Sequence, residues 1–253
     1  MRKIILILLL LPILALADTS TIIYNLTSNQ VLSSNQQYEK VSIASISKLM
    51  TVYTVLSQNQ SMDERLTVTG NRITNTKISK GMILTRMDLV KLSLISSDNL
   101  AAITLSENFP GGRMKFVEAM NKHATELNMM HSGFVEPTGL STMNFSTVED
   151  IVKLTTAVSV FDIVKTAAQS HGLVTHYSRG KRDTKLSSNP TIKYFGQDGI
   201  ITIKTGFTNA AGYCITMLIN ANNQLYNITV LGAKSKQQRE AIIKQSLATI
   251  YST

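Results

Sequence analysis

The sequence predicts an α+β fold (α/β in the broad sense), with an antiparallel sheet assembled from both ends of the chain, helices on its faces and a mainly helical region inserted between. Three observations predict it. Short β-branched runs occur at the start, at 21–26 and around Val31 and Leu32. Longer ones occur at the end, at 199–205, 213–220 and 224–231. Between them, from about Thr85 to Val158, apolar residues recur at helical rather than alternating spacing. Strands at both ends and helices in the middle imply one sheet closed by the two termini.

Taken in order, Thr27-Ser28-Asn29-Gln30 reads as the turn of a first hairpin. Residues 41–56 then read as the start of a buried helix, because Leu49, Met50, Val52, Tyr53, Val55 and Leu56 leave it few polar positions. Residues 65–69 form a short strand and 70–81 a polar loop. Leu89, Val90, Leu92, Leu94 and Ile95 mark one helix, and Leu100 to Leu105 a second, stopped by Pro110-Gly111-Gly112. Met114, Phe116, Val117, Met120, His123, Ala124 and Leu127 mark a third, its methionines read as core filler. Ser146-Thr147-Val148-Glu149 has the form of a capping box opening a helix to about Val158. Residues 172–186 suggest a hairpin, Asn222-Asn223 a tight turn between the last two strands, and 236–250 a closing helix. No repeat or low-complexity linker divides the chain. The expected organisation is a leader at 1–17 and one domain at 18–253, with a helical subdomain over about 70–170.

Composition narrows the class. A chain of 253 residues that is 43% hydrophobic can bury a sizeable core, and with 16% charged residues it carries no disordered charge run. The net charge is +9, and +7 without Arg2 and Lys3, but the basic residues are scattered and interleave with no aromatic stripe. Nucleic-acid binding is therefore not expected. Arg2 and Lys3 precede an apolar run from Ile4 to Leu14, and Ala15-Leu16-Ala17 gives a small-x-small cleavage site before Asp18. The run is short for a membrane span and Pro12 interrupts it, so the expectation is secretion, cleavage, and no transmembrane segment afterwards. The lone Cys214 lies in a strand-like run and reads as a buried thiol. The four histidines form no metal-ligand motif, so neither a metal nor a cofactor is expected.

Three stretches carry chemistry. Ser45 and Lys48 are three apart and share one helix face. A serine at a helix start has the positive end of the dipole and unpaired N–H groups beside it, and a buried lysine one turn on can take its proton. Ser178 and Lys181 share that spacing, on a Gly-containing polar stretch that looks like an exposed turn. Ser97-Asp98-Asn99 follows one apolar helix and opens another. Its serine can relay a proton, and its asparagine can hold a lysine with its oxygen and a substrate carbonyl with its nitrogen. Other Ser-x-Asn sequences occur at Ser33, Ser57, Ser106 and Ser187, and position alone separates Ser97 from them. Lys204-Thr205-Gly206 ends a β-branched run, which suggests a strand edge along a cleft. Lys204 and Thr205 offer a charge and a hydroxyl to a carboxylate, Gly206 permits close approach of another backbone, and Lys204 should depress the pKa of a nearby Lys48.

Ser-x-x-Lys, Ser-x-Asn and Lys-Thr-Gly in this order resemble the penicillin-recognising serine enzymes. The surrounding residues extend the resemblance. Ala44-Ser45-Ile46-Ser47-Lys48-Leu49-Met50-Thr51 is similar to the active-site helix of the D-Ala-D-Ala carboxypeptidase family of serine peptidases (peptidase S11). Ser96 to Ala102, Phe109-Pro110-Gly111-Gly112, Phe134 to Ser141 and Thr205 to Gly212 resemble its D-alanyl-D-alanine endopeptidase branch of small penicillin-binding proteins. The resemblance covers essentially the whole chain after the leader. It implies a β-lactamase/transpeptidase-like fold, periplasmic location, peptidoglycan peptides as substrate and β-lactam antibiotics as covalent inhibitors. By that resemblance Ser45 is acylated, Lys48 is its base and Ser97 relays the proton. Asn99, Lys204, Thr205 and Gly206 bind substrate, and the N–H groups of Ser45 and Phe207 form the oxyanion hole.

Several activities share such a site. An endopeptidase cuts D-Ala-diaminopimelate crosslinks, whereas a carboxypeptidase trims terminal D-Ala. Many carboxypeptidases of the family carry a further β-domain and an amphipathic anchor, for which residues after 250 leave no room, so the endopeptidase is the expected activity. A class A β-lactamase deacylates through a glutamate-activated water in a Glu-x-x-Leu-Asn arrangement. Glu136-Pro137-Thr138-Gly139-Leu140-Ser141 has one residue too many and no asparagine, which implies slow release of penicillin. A non-catalytic wall-peptide or β-lactam sensor would not need the intact Ser45, Lys48, Ser97, Asn99 and Lys204 set.

Overall fold

The computed structural model describes residues 18–71, 73–178, 182–188 and 199–252. The expected leader at 1–17 and Arg179, Gly180 and Lys181 of the second Ser-x-x-Lys sequence lie outside the described residues. Two N-terminal strands, β1 (Ser20–Asn25) and β2 (Gln30–Asn35), are followed by β3 (Val41–Ser42), a 3-10 turn (Ala44–Ile46) and helix α1 (Ser47–Leu56). Then come β4 (Arg65–Thr67), β5 (Ile83–Thr85), α2 (Arg86–Ile95), α3 (Asn99–Glu107), α4 (Gly112–Glu126), β6 (Phe145–Ser146), α5 (Val148–Val158) and α6 (Asp162–Ala168). The hairpin strands β7 (Gly172–Ser178) and β8 (Arg182–Ser188) precede β9 (Ile200–Thr208), β10 (Gly212–Ala221), β11 (Gln224–Ala233) and helix α7 (Lys236–Ser252).

The main sheet has the order β2-β1-β11-β10-β9 and its paired strands are antiparallel. The N-terminal hairpin thus docks onto the last strand, with Ser20 opposite Leu231, and the sheet is closed by both chain ends as expected. Asn222 and Asn223 turn β10 into β11 with φ of 51° and 60°, a two-residue geometry that suits asparagine better than most side chains. Strand β9 is left at the edge, with Lys204 opposite Thr216.

Alternation along the strands divides the apolar side chains between two cores. Ile23, Ile215, Met217, Ile219, Ile228 and Val230 pack with Ile242, Ile243, Leu247 and Ile250 of α7. Ile22, Cys214 and Leu231 join the larger core with α1, α2, α3, α4 and α5. Helix α1 is buried along most of its length, so the lysine in its first turn is taken out of water by the packing that stabilises the helix. On the α5 face of the sheet a buried polar chain runs beside this apolar contact. Thr155 Oγ1 lies 3.0 Å from Thr216 Oγ1, which lies 2.8 Å from Thr229 Oγ1, and Thr229 donates to Asn227 Oδ1 at 2.7 Å.

Two local expectations shift. Helix α5 is capped by Thr147, whose hydroxyl accepts from Asp150 N at 3.1 Å, one residue later than the Ser146 pattern predicts. Ser146 instead pairs with Ser132 Oγ at 2.7 Å, since its strand β6 is held against β3. Helix α6 carries too few apolar periods to be legible in advance. Cys214 is fully buried, and burial pushes its thiol up to about 11. Among the described residues no helix is long and apolar enough to cross a membrane.

The buried hydroxyl chain gives a test of how α5 is fixed to the sheet. Thr216→Val should strand its partners and lower stability by about 1–3 kcal/mol in chemical denaturation.

Candidate active site

Ser45 lies in the 3-10 turn directly before α1 rather than inside the helix. Ala44 takes φ of 46°, a conformation few residues with a Cβ adopt, and this kink aims the next side chain at the cleft mouth. Two glycines press on the same turn. A Cβ on Gly139, itself at φ 81°, would sit 1.8 Å from Ala44 O. A Cβ on Gly206 would sit 2.9 Å from Ser45 N and 3.1 Å from Ile43 O. The backbone that Gly206 admits is therefore the chain's own Ile43–Ser45 segment, and the close approach sets Phe207, the next residue, beside Ser45.

Lys48 is fully buried. Its Nζ donates to Ser45 Oγ at 2.9 Å, Asn99 Oδ1 at 2.6 Å and the Thr138 carbonyl at 2.7 Å. Burial lowers its pKa to about 7, against the opposing charges of Glu136 and Asp98. Lys204, also buried, is pushed well below the usual lysine range by burial first and by the Lys48 charge second. Burial is the first cause of both shifts, and the expected repulsion between the two amines adds to it. Lys204 Nζ donates to Ser97 Oγ at 2.9 Å and to the Thr205 carbonyl at 2.8 Å.

The Ser97-Asp98-Asn99 corner joins α2 to α3. Ser97 has φ of 56°, a strained value for a residue with a Cβ, and Asn75 Nδ2 clamps it by donating to the Ser96 and Ser97 carbonyls at 3.2 and 2.7 Å. Asp98 caps α3 through Ala101 N at 2.9 Å and also accepts from Lys77 N. Burial raises its pKa, with those backbone donors opposing. Asn99 gives its oxygen to Lys48 as expected, but its Nδ2 donates to the Thr74 carbonyl at 2.7 Å, so only part of that amide remains for a ligand.

The structure thus brings Ser45, Lys48, Ser97, Asn99, Lys204, Thr205, Gly206 and Phe207 to one place. All but the two buried lysines line a cleft of about 560 Å³ between the β9 edge and the α2–α3 corner. The arrangement can place a hydroxyl against a poised amine, with a second amine reached through another hydroxyl. Other residues of the site went unread in the sequence. Arg239, in the first turn of α7, lines the same cleft while donating to Glu240 at 2.8 Å and to the Cys214 carbonyl at 3.4 Å. Thr138 touches Lys48 through its main chain, and Thr51 donates to the Pro137 carbonyl at 2.7 Å. Main-chain contacts of this kind leave no side-chain signature, and Pro137-Thr138-Gly139 was legible only as part of the Phe134 to Ser141 resemblance, with no role attached.

The chain is 36% identical over 239 residues to a D-alanyl-D-alanine endopeptidase of Escherichia coli (strain K12), covering 87% of this chain and 73% of that protein. It is 26% identical over 251 residues to the D-alanyl-D-alanine carboxypeptidase DacF of Bacillus subtilis (strain 168), covering 93% and 60%. Among solved structures, penicillin-binding protein D2 from Listeria monocytogenes in its ampicillin-bound form superposes with a TM-score of 0.79 at 25% identity, covering 92% of this chain and 96% of that one. The family model described as D-alanyl-D-alanine carboxypeptidase matches residues 12–235. The chain belongs to that family of serine peptidases, peptidase S11.

Proposed function

We propose that this protein is a serine DD-endopeptidase that opens D-Ala-diaminopimelate crosslinks of peptidoglycan in the periplasm, through an acyl-enzyme on Ser45. One observation carries the mechanism. Lys48 Nζ has three polar neighbours, and two of them, Asn99 Oδ1 and the Thr138 carbonyl, can only accept. A neutral amine has two N–H groups and one lone pair. With both N–H groups given to the carbonyls, the lone pair faces Ser45 Oγ, the one neighbour with a proton to give. A pKa of about 7 keeps a large share of Lys48 neutral at physiological pH.

In the acylation step Ser45 Oγ forms a bond to the D-Ala carbonyl carbon as its proton passes to Lys48. The oxyanion develops against the N–H groups of Ser45 and Phe207, each such donor worth about 3 kcal/mol of barrier. Ser97, held by Lys204, gives its proton to the leaving amine as the C–N bond breaks and is reprotonated from the Lys48–Lys204 pair, which thereby loses the proton taken from Ser45. Thr205 and Lys204 meet the carboxylate beside the leaving nitrogen, and Asn99 steadies Lys48 and the substrate. Water then adds to the ester carbonyl carbon with its proton passing to Lys48, and the C–O bond breaks as Lys48 returns that proton to Ser45 Oγ. β-Lactams enter the same step and acylate Ser45. The 36% identity to a protein named endopeptidase, against 26% to one named carboxypeptidase, favours crosslinks over terminal D-Ala. The carboxypeptidase remains the second reading because the family model bears that description.

Incubation with defined crosslinked and uncrosslinked muropeptides, read by mass, tests the reading. Crosslinked dimers should fall to monomers, while loss of terminal D-Ala alone with intact crosslinks would overturn the endopeptidase assignment. Ser45→Ala should lower turnover by about 10⁴-fold or more and abolish penicillin attachment. Because Lys48 acts as a base, acylation should rise with pH through a limb near 7 and be lost below it, as a stopped-flow pH series would record. Penicillin should be released slowly, with a burst of one equivalent rather than multiple turnover.

A further inference from the structure

We infer that Glu136 is a positioning residue for this reaction: its carboxylate fixes the loop whose Thr138 carbonyl holds the Lys48 amine. The inference rests on the assignment of Lys48 as base. Glu136 is 8% exposed and does not line the cleft. One carboxylate oxygen accepts from Thr138 N at 2.7 Å and Thr138 Oγ1 at 2.5 Å. The other accepts from Gly139 N at 2.6 Å, Asn144 Nδ2 at 3.2 Å and Ser141 N at 3.4 Å. Five donors exceed the four or so lone-pair sites of a carboxylate, so no capacity remains to activate a water.

What those bonds hold is the back wall of the nucleophile. The loop meets the 44–51 segment at three points: Gly139 against Ala44 O, the Thr138 carbonyl on Lys48 at 2.7 Å, and the Pro137 carbonyl on Thr51 at 2.7 Å. Without the carboxylate the loop has no other common acceptor for its successive N–H groups, and the Thr138 carbonyl loses its fixed direction. The amine then loses one of the two acceptors that turn its lone pair toward Ser45. The charged groups facing Lys48 are Glu136 from this loop, Asp98 from the α2–α3 corner and Lys204 from β9. Glu136 is the larger of the two carboxylate influences that oppose desolvation.

The test is the pH dependence of acylation by a chromogenic cephalosporin, with deacylation measured separately. Glu136→Gln removes the charge and mismatches the donors. The plateau rate should fall by about tenfold to a hundredfold, as misplacement of a reacting group does. The acid limb should move to lower pH, because Lys48 without its opposing carboxylate sheds its proton more readily. The ratio of variant to wild-type rate should then be about threefold higher at pH 6 than at pH 8. Glu136→Asp, which keeps the charge, should return the limb to its wild-type position. A folded Glu136→Gln protein, judged by thermal unfolding, whose limb does not move overturns the inference. So does unchanged acylation with collapsed deacylation, which would make Glu136 a base toward water. If Glu136→Gln does not fold, Thr138→Val carries the test: it cuts one carboxylate contact at constant charge, and an undiminished plateau overturns the positioning role. A wild-type enzyme with no limb near neutral pH would overturn the Lys48 assignment instead.

Discussion

The site depends on a lysine that has been taken out of water. Moving Lys48 from 10.5 to about 7 corresponds to a preference for its neutral form on the order of 5 kcal/mol relative to solvent. Helix α1 supplies that condition through its own packing, since Lys48 and its helix neighbours Leu49, Met50 and Val52 are all fully buried. Two acceptor-only oxygens then orient whatever protons the amine retains. Desolvation and orientation come from different parts of the fold, the first from the larger core and the second from two connecting loops.

Those loops are held by side chains with no direct part in the chemistry. Asn75 and Asp98 hold the corner that carries Ser97 and Asn99. Glu136 and Asn144 hold the turn that carries Thr138 and Gly139. The tight fit around Ser45 is a second constraint. Gly139 and Gly206 converge on residues 43–45, where a single methyl group on either would meet main-chain atoms. Strained backbone sits at Ala44 within this contact and at Ser97 in the α2–α3 corner, which is where strain is expected when geometry rather than stability is being maintained.

Most elements were legible because their signals are local. The β-branched runs, the Asn222-Asn223 turn and the helical spacing of the middle region each arise from residues near one another in sequence. The misses have equally physical causes. The cap of α5 moved by one residue because Ser146 is claimed by the β3–β6 pair, a contact with a segment a hundred residues away. Helix α6 was too short to show a period. Gly206 was read as admitting the close approach of another backbone, but which backbone was not legible, and it is the Ser45 turn.

The amino-acid sequence alone supplied the candidate set, because a nucleophile, a base and their partners must be particular side chains, and side chains are written in it. It determined the sheet's assembly from both ends for the same kind of reason, since strand periodicity is local. Folding in three dimensions settled that Ser97 rather than another Ser-x-Asn serine meets Lys204, and that Lys48 is taken fully out of water. It alone brought Thr138, Glu136 and Arg239 to the site. Desolvation and main-chain hydrogen bonds depend on what lies nearby in space, and segments far apart in the chain supply them without any spacing that a sequence can record.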